Sequence, residues 1–298
     1  MIMQLRHIPL LLLLAATTGC SDFFNQVVEI DIPEHEPSLA VSGHFRAQDS
    51  TLTVYVSRSV GILDPVAFDT IAIEGASVTV LRDGQPWQTF PDMGSGYYRL
   101  NLGGPLGDSP ATYSLRVSAP GYADATAEQT MPARVDITTT EYQPEGGVNP
   151  DGFKTNTLTV EFQDPAGEEN YYLLEAFVTV PDTFAPSGSY DYNLYLATED
   201  ALAEEHNGGL LFRDGPIDGK VYALKTYFLD NVHQIPGATV TVRLFSISRD
   251  RYLFLRTLDL YYNAQDNPFA EPVVVHDNIE DGVGIFTVAA VAERVLSF

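Results

Sequence analysis

Three features of the 298-residue sequence predict a mostly β protein. From Leu39 onward, apolar and polar residues alternate in short runs, and Gly, Pro, Asn and Asp punctuate those runs. One longer stretch, about 248–264, spaces its apolar residues as a helix does. The expected architecture is a β-sandwich over 38–132, followed by a second β-rich domain over 133–298 that carries this one main helix.

At the N-terminus, Arg6 and the α-amine precede the apolar run "IPLLLLLAA", from Ile8 to Ala16. This is the layout of a secretory signal peptide. The run is about half of the roughly 20 residues a helix needs to cross a bilayer core. It leads into "AATTGCSDFF", where Cys20 is the only cysteine of the chain. A disulfide needs a second cysteine and a Cys-rich metal site needs several, so neither reading fits. Thr18-Gly19-Cys20 instead suits cleavage directly before a cysteine whose thiol receives a diacylglyceryl group, with Thr17 standing where such lipoboxes usually carry Leu. The expectation is a signal peptide over 1–19, lipidation at Cys20 and a polar tether over 20–37. The alternatives are ordinary secretion and a retained apolar anchor. Acyl chains contribute about 0.8 kcal/mol per buried methylene, so two or three hold a protein on a membrane without a span.

In the sandwich segment, "TLTVYVSR" places Leu52, Val54 and Val56 on one face of a strand. "ASVTVLRDGQPWQTF" repeats the alternation on both sides of Asp83-Gly84, residues that tolerate the positive φ of a hairpin turn. "TYSLRVSAPGY" alternates again until Pro120-Gly121 ends it. Together, "EGASVTVLRDG", "GSGYYRL" and "YSLRVSAPGY" make this segment resemble the carboxypeptidase regulatory-like, transthyretin-like domain. The resemblance implies an Ig-like sandwich in which Gly75, Gly84, Gly96, Tyr98, Tyr113 and Pro120-Gly121 are architectural, and it implies no chemistry.

Beyond Met131-Pro132 the turn-forming "YQPEGGVNPDG" marks a boundary near 133. "TLTVEFQDP", "NYYLLEAFVTV", "KVYALKTYF" and "ATVTVRLFSIS" read as strands. "SRDRYLFLRTLDLYYNAQ" sets Tyr252, Leu255, Leu258 and Tyr262 at helical spacing, with Ser248 as N-cap and Asp250 at the favourable end of the dipole. "ATEDALAEEHNGG" is expected to form a shorter helix ended by Gly208. In "NPFAEP", Asn267 precedes proline and is expected to be extended, and Phe269 is expected to plug the core. Gly282 and Gly284 suit a bulge or a close backbone approach.

Net charge is −24, from 40 acidic and 16 basic side chains. Nucleic-acid phosphates require a basic footprint, so no nucleic-acid partner is expected, and anionic headgroups are disfavoured for the same reason. With 40 carboxylates, acid–base pairs arise by number alone. No G-x-S-x-G elbow, H-E-x-x-H helix or phosphate-cradling glycine loop is present. His44 and His276 read as ordinary surface or satisfied core residues. The turns "NPDG" and "DGPIDG" lack the ligand spacing of an EF-hand, which leaves a calcium site assembled from distant loops open. Tyr171-Tyr172, "YDYNLYL" and Tyr261-Tyr262 serve either a β core or an interface. Asn267, Glu271, Asn278 and Asp281 serve either the joint between helix and last strand or a polar binding loop.

The pieces "VVEIDIPEHEPSLAVSGHF", "LLFRDGPIDGKVYAL", "LFSISRDRYLFLRTLDLYYNAQDNPFAEP" and "VHDNIEDGVGIF" occur in that order. They resemble the Bacteroidota lipoprotein family known as domain of unknown function forty-two forty-nine. That resemblance implies an outer-membrane lipoprotein, on the surface or periplasmic face, often encoded beside TonB-dependent transporters. It carries over no catalytic residue, cofactor or metal. The expected function is therefore a non-enzymatic accessory or binding subunit of a TonB-dependent transporter in nutrient uptake. The alternatives are a structural or adhesive surface module and, behind it, a glycan or peptide hydrolase.

Overall fold

The structure, a computed structural model, describes residues 35–298 apart from 62–63, 65–67, 186 and 266–268. The expected signal peptide, Cys20, most of the tether and Asn267 lie outside the described residues. The first half holds seven strands: β1 Leu39–Arg46, β2 Thr51–Arg58, β3 Ser77–Arg82, β4 Gln85–Phe90, β5 Tyr97–Asn101, β6 Thr112–Ser118 and β7 Ala125–Thr130. The second half holds β8 Ile137–Val148, β9 Lys154–Gln163, β10 Tyr171–Pro181, β11 Ser189–Leu194, β12 Ala203–His206, β13 Gly209–Arg213, β14 Val221–Phe228 and β15 Thr239–Ile247. The helix α1, Arg249–Gln265, and the last strand β16, Gly282–Ser297, complete it. The protein is mostly β with several sheets, as the alternation predicts, and the main helix falls within one residue of its expected bounds.

A nine-stranded sheet forms the frame, in the order β12-β13-β10-β15-β16-β1-β2-β5, with β11 paired to β10. β16 lies between β15, antiparallel, and β1, parallel, so strands from both sides of residue 133 share one sheet. Period-two alternation then assigns the faces. On one face Phe286, Val288 and Ala290 join Leu39, Val41, Phe45, Leu52, Val54 and Val56 in a core closed by the four-stranded sheet β4-β3-β6-β7. Further along, Tyr172, Leu174, Val242, Leu244 and Ala292 form a second core beneath the three-stranded sheet β14-β9-β8. The opposite face carries α1, whose Tyr252 and Leu255 pack with Tyr171, Leu173, Phe245, Ile247 and Ala289. Each core is a sandwich because each inner face is apolar and needs an opposing layer.

Local chemistry explains the joints. Asp83 and Gly84 adopt φ of 51° and 73°, the left-handed pair that a tight hairpin between β3 and β4 needs. Gly284 sits at φ 122°, and a Cβ there would lie 2.0 Å from the carbonyl oxygen of Val41, so the parallel β1–β16 pairing requires glycine. This is the close approach that the sequence anticipates. The Ser248 hydroxyl accepts a hydrogen bond from the Arg251 amide at 3.3 Å and caps α1.

Two expectations are corrected. "ATEDALAEEHNGG" is not a helix but contains β12, turned into β13 at Asn207-Gly208 with φ of 47° and 84°. Backbone pairing to the sheet outweighs the helical preference of Ala and Glu here. Phe269 does not plug the core, because it is 94% exposed on the segment that follows α1. Among the described residues no helix is long and apolar enough to cross a membrane.

Candidate functional site

The first turn of α1 delivers Asp250 to the seam between the first core and the C-terminal segment. Its carboxylate accepts hydrogen bonds from Nε2 of Gln129 on β7 at 2.6 Å and from Nδ2 of Asn278 at 3.4 Å. His276 Nε2 lies 2.8 Å from the other oxygen. Burial alone would raise the Asp250 pKa, but the hydrogen bonds from His276, Gln129 and Asn278 outweigh it and hold the carboxyl below its ordinary value. Asn278 is itself fixed, because its side chain donates to the Phe286 carbonyl at 2.8 Å and accepts from the Phe286 amide at 2.9 Å.

From this hub a groove of about 590 Å³ runs over the outer face of β6 and β7, lined by Ser114, Arg116, Glu128, Asp250, Asn278 and Glu280 among others. Its polar groups are already partnered: Ser114 donates to Glu128 at 2.8 Å, Arg116 pairs with Asp124, and Thr126 donates to Glu280 at 3.4 Å. Main-chain hydrogen bonds between Thr126 and Glu280, at 3.0 and 2.8 Å, close one wall. Such a surface can offer preformed hydrogen bonds to a polar ligand. Beneath it, the buried Gln129 Oε1 and the hydroxyl of Tyr113, directly opposite on β6, have no hydrogen-bond partner among the described residues.

Of the four residues of the anticipated polar loop, Asn278 lines this groove. Glu271 is exposed and does not line it, and Asp281 is an exposed turn residue at φ 56° leading into β16. Asn267 lies outside the described residues. Sequence reading misses Asp250 as the shared acceptor of Gln129 and Asn278, since a glutamine in a strand and an acid in the first turn of a helix give no local sign of meeting. His276 is satisfied by Asp250, and His44 Nδ1 lies 2.9 Å from the Thr287 hydroxyl. Burial, then the nearby Arg251 and Arg46, push the His44 pKa down to about 3, so its imidazole is neutral.

A second polar cluster unites two loops. Asp164, Asp214 and Asp218 each present an oxygen within 4.8 Å of the others, and among the described residues they are the set that could hold a cation. As built, the carboxylates are engaged by protein donors. Tyr172 donates to Asp164 at 2.5 Å and Gly219 N–H at 3.0 Å, Asn170 N–H donates to Asp214 at 2.8 Å, and Gly167 N–H donates to Asp218 at 2.7 Å. Burial raises the Asp164 pKa, opposed by the hydrogen bonds from Tyr172 and Gly219 and reinforced by the charges of Asp214 and Asp218.

The tyrosines divide between core and surface. Tyr171 and Tyr172 are buried, whereas Tyr190, Tyr195, Tyr261 and Tyr262 are exposed. Exposed Leu260, Phe269 and Val274 accompany Tyr261 and Tyr262 along the end of α1 and the segment after it.

A family model described as "Domain of unknown function (DUF4249)" matches residues 25–295. No curated protein matches the chain. Among solved structures it is similar to the B domain of a biofilm-associated protein, at 5% identity and a TM-score of 0.20, covering 87% of this chain and 86% of that one. It is also similar to the collagen adhesin CNA from S. aureus, at 7% identity and a TM-score of 0.19, covering 88% and 93%. Likeness at that level carries no argument about either fold or function.

Proposed function

The chain belongs to the DUF4249 family, and from that premise we propose that it is a lipoprotein of the Bacteroidota outer membrane acting as a non-enzymatic accessory subunit of a TonB-dependent transporter in nutrient uptake. The observation that carries this reading is the order of positive start, short apolar run and Thr18-Gly19-Cys20. Lipid on Cys20 supplies the anchor, and the described β-rich body supplies the binding surfaces. The groove beside Asp250 and Asn278 supports a binding role, since its polar groups hold one another in place. We assign contact with the transporter to the exposed apolar set Leu260, Tyr261, Tyr262 and Phe269, because amphipathic aromatic rings bury area while keeping a polar tip.

The test is purification of the tagged chain from detergent-solubilised native membranes. A TonB-dependent transporter is expected to copurify, and Leu260→Asp with Tyr262→Asp is expected to release it while leaving the melting temperature unchanged. Reproducible isolation of the chain alone overturns the reading. A deletion that alters attachment but not uptake would favour the adhesive alternative instead.

A further inference from the structure

A separate cavity of about 350 Å³ lies against the outer face of the three-stranded sheet, at the low end of the ~300–1,000 Å³ usual for small-molecule pockets. One wall is the segment after β11, which is pinned to β14. Ala197 and Tyr227 exchange both main-chain hydrogen bonds, at 2.9 and 2.8 Å, and the Thr198 hydroxyl donates to the Lys225 carbonyl at 2.8 Å. The floor is Thr155 and Thr157 of β9. Opposite them β8 carries Gly147, where a Cβ would come within 2.9 Å of the Thr155 hydroxyl, so glycine leaves that hydroxyl its space.

Three groups in this cavity have no partner among the described residues. Thr155 is 2% exposed and its hydroxyl has no hydrogen-bond partner. Buried hydroxyls are normally satisfied, so the group calls for a partner that the chain does not supply. Among the described residues, Lys225 finds no hydrogen bond or ion pair for its ammonium, whereas Lys154 pairs with Glu145 at 2.6 Å and Lys220 donates to the Pro216 carbonyl at 2.8 Å. Two carboxylates line the cavity. That of Asp200 is used by the Tyr222 hydroxyl at 2.7 Å and the Leu202 amide at 3.0 Å, and that of Glu199 is not used.

We propose that this cavity binds a small zwitterion, an α-amino acid or short peptide, with the ligand carboxylate on Lys225, its ammonium on Glu199 and a polar atom on the Thr155 hydroxyl. Opposite charges sharing one cavity without pairing match a ligand that carries both charges. A neutral sugar would leave both side chains unanswered. A simple anion would meet Lys225 against the field of a chain with net charge −24, which a zwitterion does not feel as a net charge. Tyr227 and Ala223 provide an apolar wall for the ligand's side chain. The inference is independent of the membrane anchor and of any transporter.

The experiment is isothermal titration of the detergent-solubilised full chain with L-alanyl-L-alanine and, separately, L-alanine. Saturable binding of at least one is expected. N-acetylation or C-terminal amidation of the binding compound is expected to weaken it at least tenfold, as are Glu199→Gln and Lys225→Met, whose exposed positions leave the melting temperature unchanged. Thr155→Val, which removes only an unpartnered hydroxyl, is expected to weaken binding while holding or raising the melting temperature. If Thr155→Val does not fold, the two exposed variants decide. Absence of saturable binding, equal binding of the blocked compounds, or full affinity in any folded variant overturns the proposal.

Discussion

Gln129 Nε2, on β7, donates to the Asp250 carboxylate in the first turn of α1 across 2.6 Å, joining residues 121 positions apart. Asp250 also meets His276 and Asn278, so one carboxylate ties the first core, the helix and the C-terminal segment together. Hydrogen bonds to a charged group contribute about 1.5–3 kcal/mol. Asp250→Ala is therefore expected to lower stability by about 2–3 kcal/mol in urea unfolding. The Asp250 pKa is depressed in the folded state, so its contribution is complete above the unfolded value near ~4 and is lost as pH falls through the lower folded value. A wild-type-to-variant difference that persisted unchanged at pH 2 would contradict this account.

Asn278 occupies both main-chain groups of Phe286. Truncation leaves those groups without their partner, and Asn278→Ala is expected to cost ~1–3 kcal/mol. Asp281→Ala is expected to cost about 1–2 kcal/mol for a different reason, the left-handed φ of 56°. Urea midpoints of the two variants check both values. Loss of ligand or partner binding with neither midpoint moved would favour the polar-loop reading of this segment over the structural joint.

Gly284 has no tolerated substitute, since a Cβ would stand 2.0 Å from Val41 O. Gly284→Ala is expected to cost on the order of 4 kcal/mol or more, the range in which a marginal protein fails to fold. Circular dichroism and thermal melting give the answer. A melting temperature within a few degrees of wild type would show that β1 and β16 can separate locally without loss of the fold.

Asp164 gives the opposite pH dependence to Asp250. Its folded pKa is raised, chiefly by burial, so the folded state holds the proton more tightly than the unfolded chain. The stabilising effect of that proton is complete below ~4 and is lost as pH rises through the raised folded value. Asp164→Asn, which cannot ionise, is expected to flatten the stability profile across that window. Parallel profiles for variant and wild type, measured by urea unfolding, would rule this out.

Labelled palmitate is expected to enter the chain in vivo and to be lost in Cys20→Ala. Continued labelling of that variant would place the acyl group elsewhere and remove the basis for an N-terminal anchor.

The parts of the fold legible in the sequence are those governed by local periodicity. Leu52, Val54 and Val56 announce β2 and its buried face, and each is essentially inaccessible. Ser248 and the spacing of Tyr252 and Leu255 announce α1. Where tertiary pairing overrides local preference, reading fails. Glu204-Glu205 look helical by residue type, yet they lie in β12, and the local sign of the strand is the Asn207-Gly208 hairpin turn. The candidate sites are less legible still. Asp164 meets Asp214 and Asp218 only through loop geometry, and Lys225 shares a cavity with Glu199 only because the segment before Glu199 is pinned along β14. No spacing in a single sequence reports such meetings.

The parallel pairing of β1 with β16 has a consequence for biogenesis. His44 on β1 meets Thr287 on β16 across 243 positions, so the central pairing of the large sheet cannot form until almost all of the described chain has been synthesised. Contacts of such long range make folding slow, because loop closure precedes the reward of pairing. Until β16 emerges, the edge of β1 that will carry the parallel pairing stays open, so the large sheet closes as one of the last events of folding.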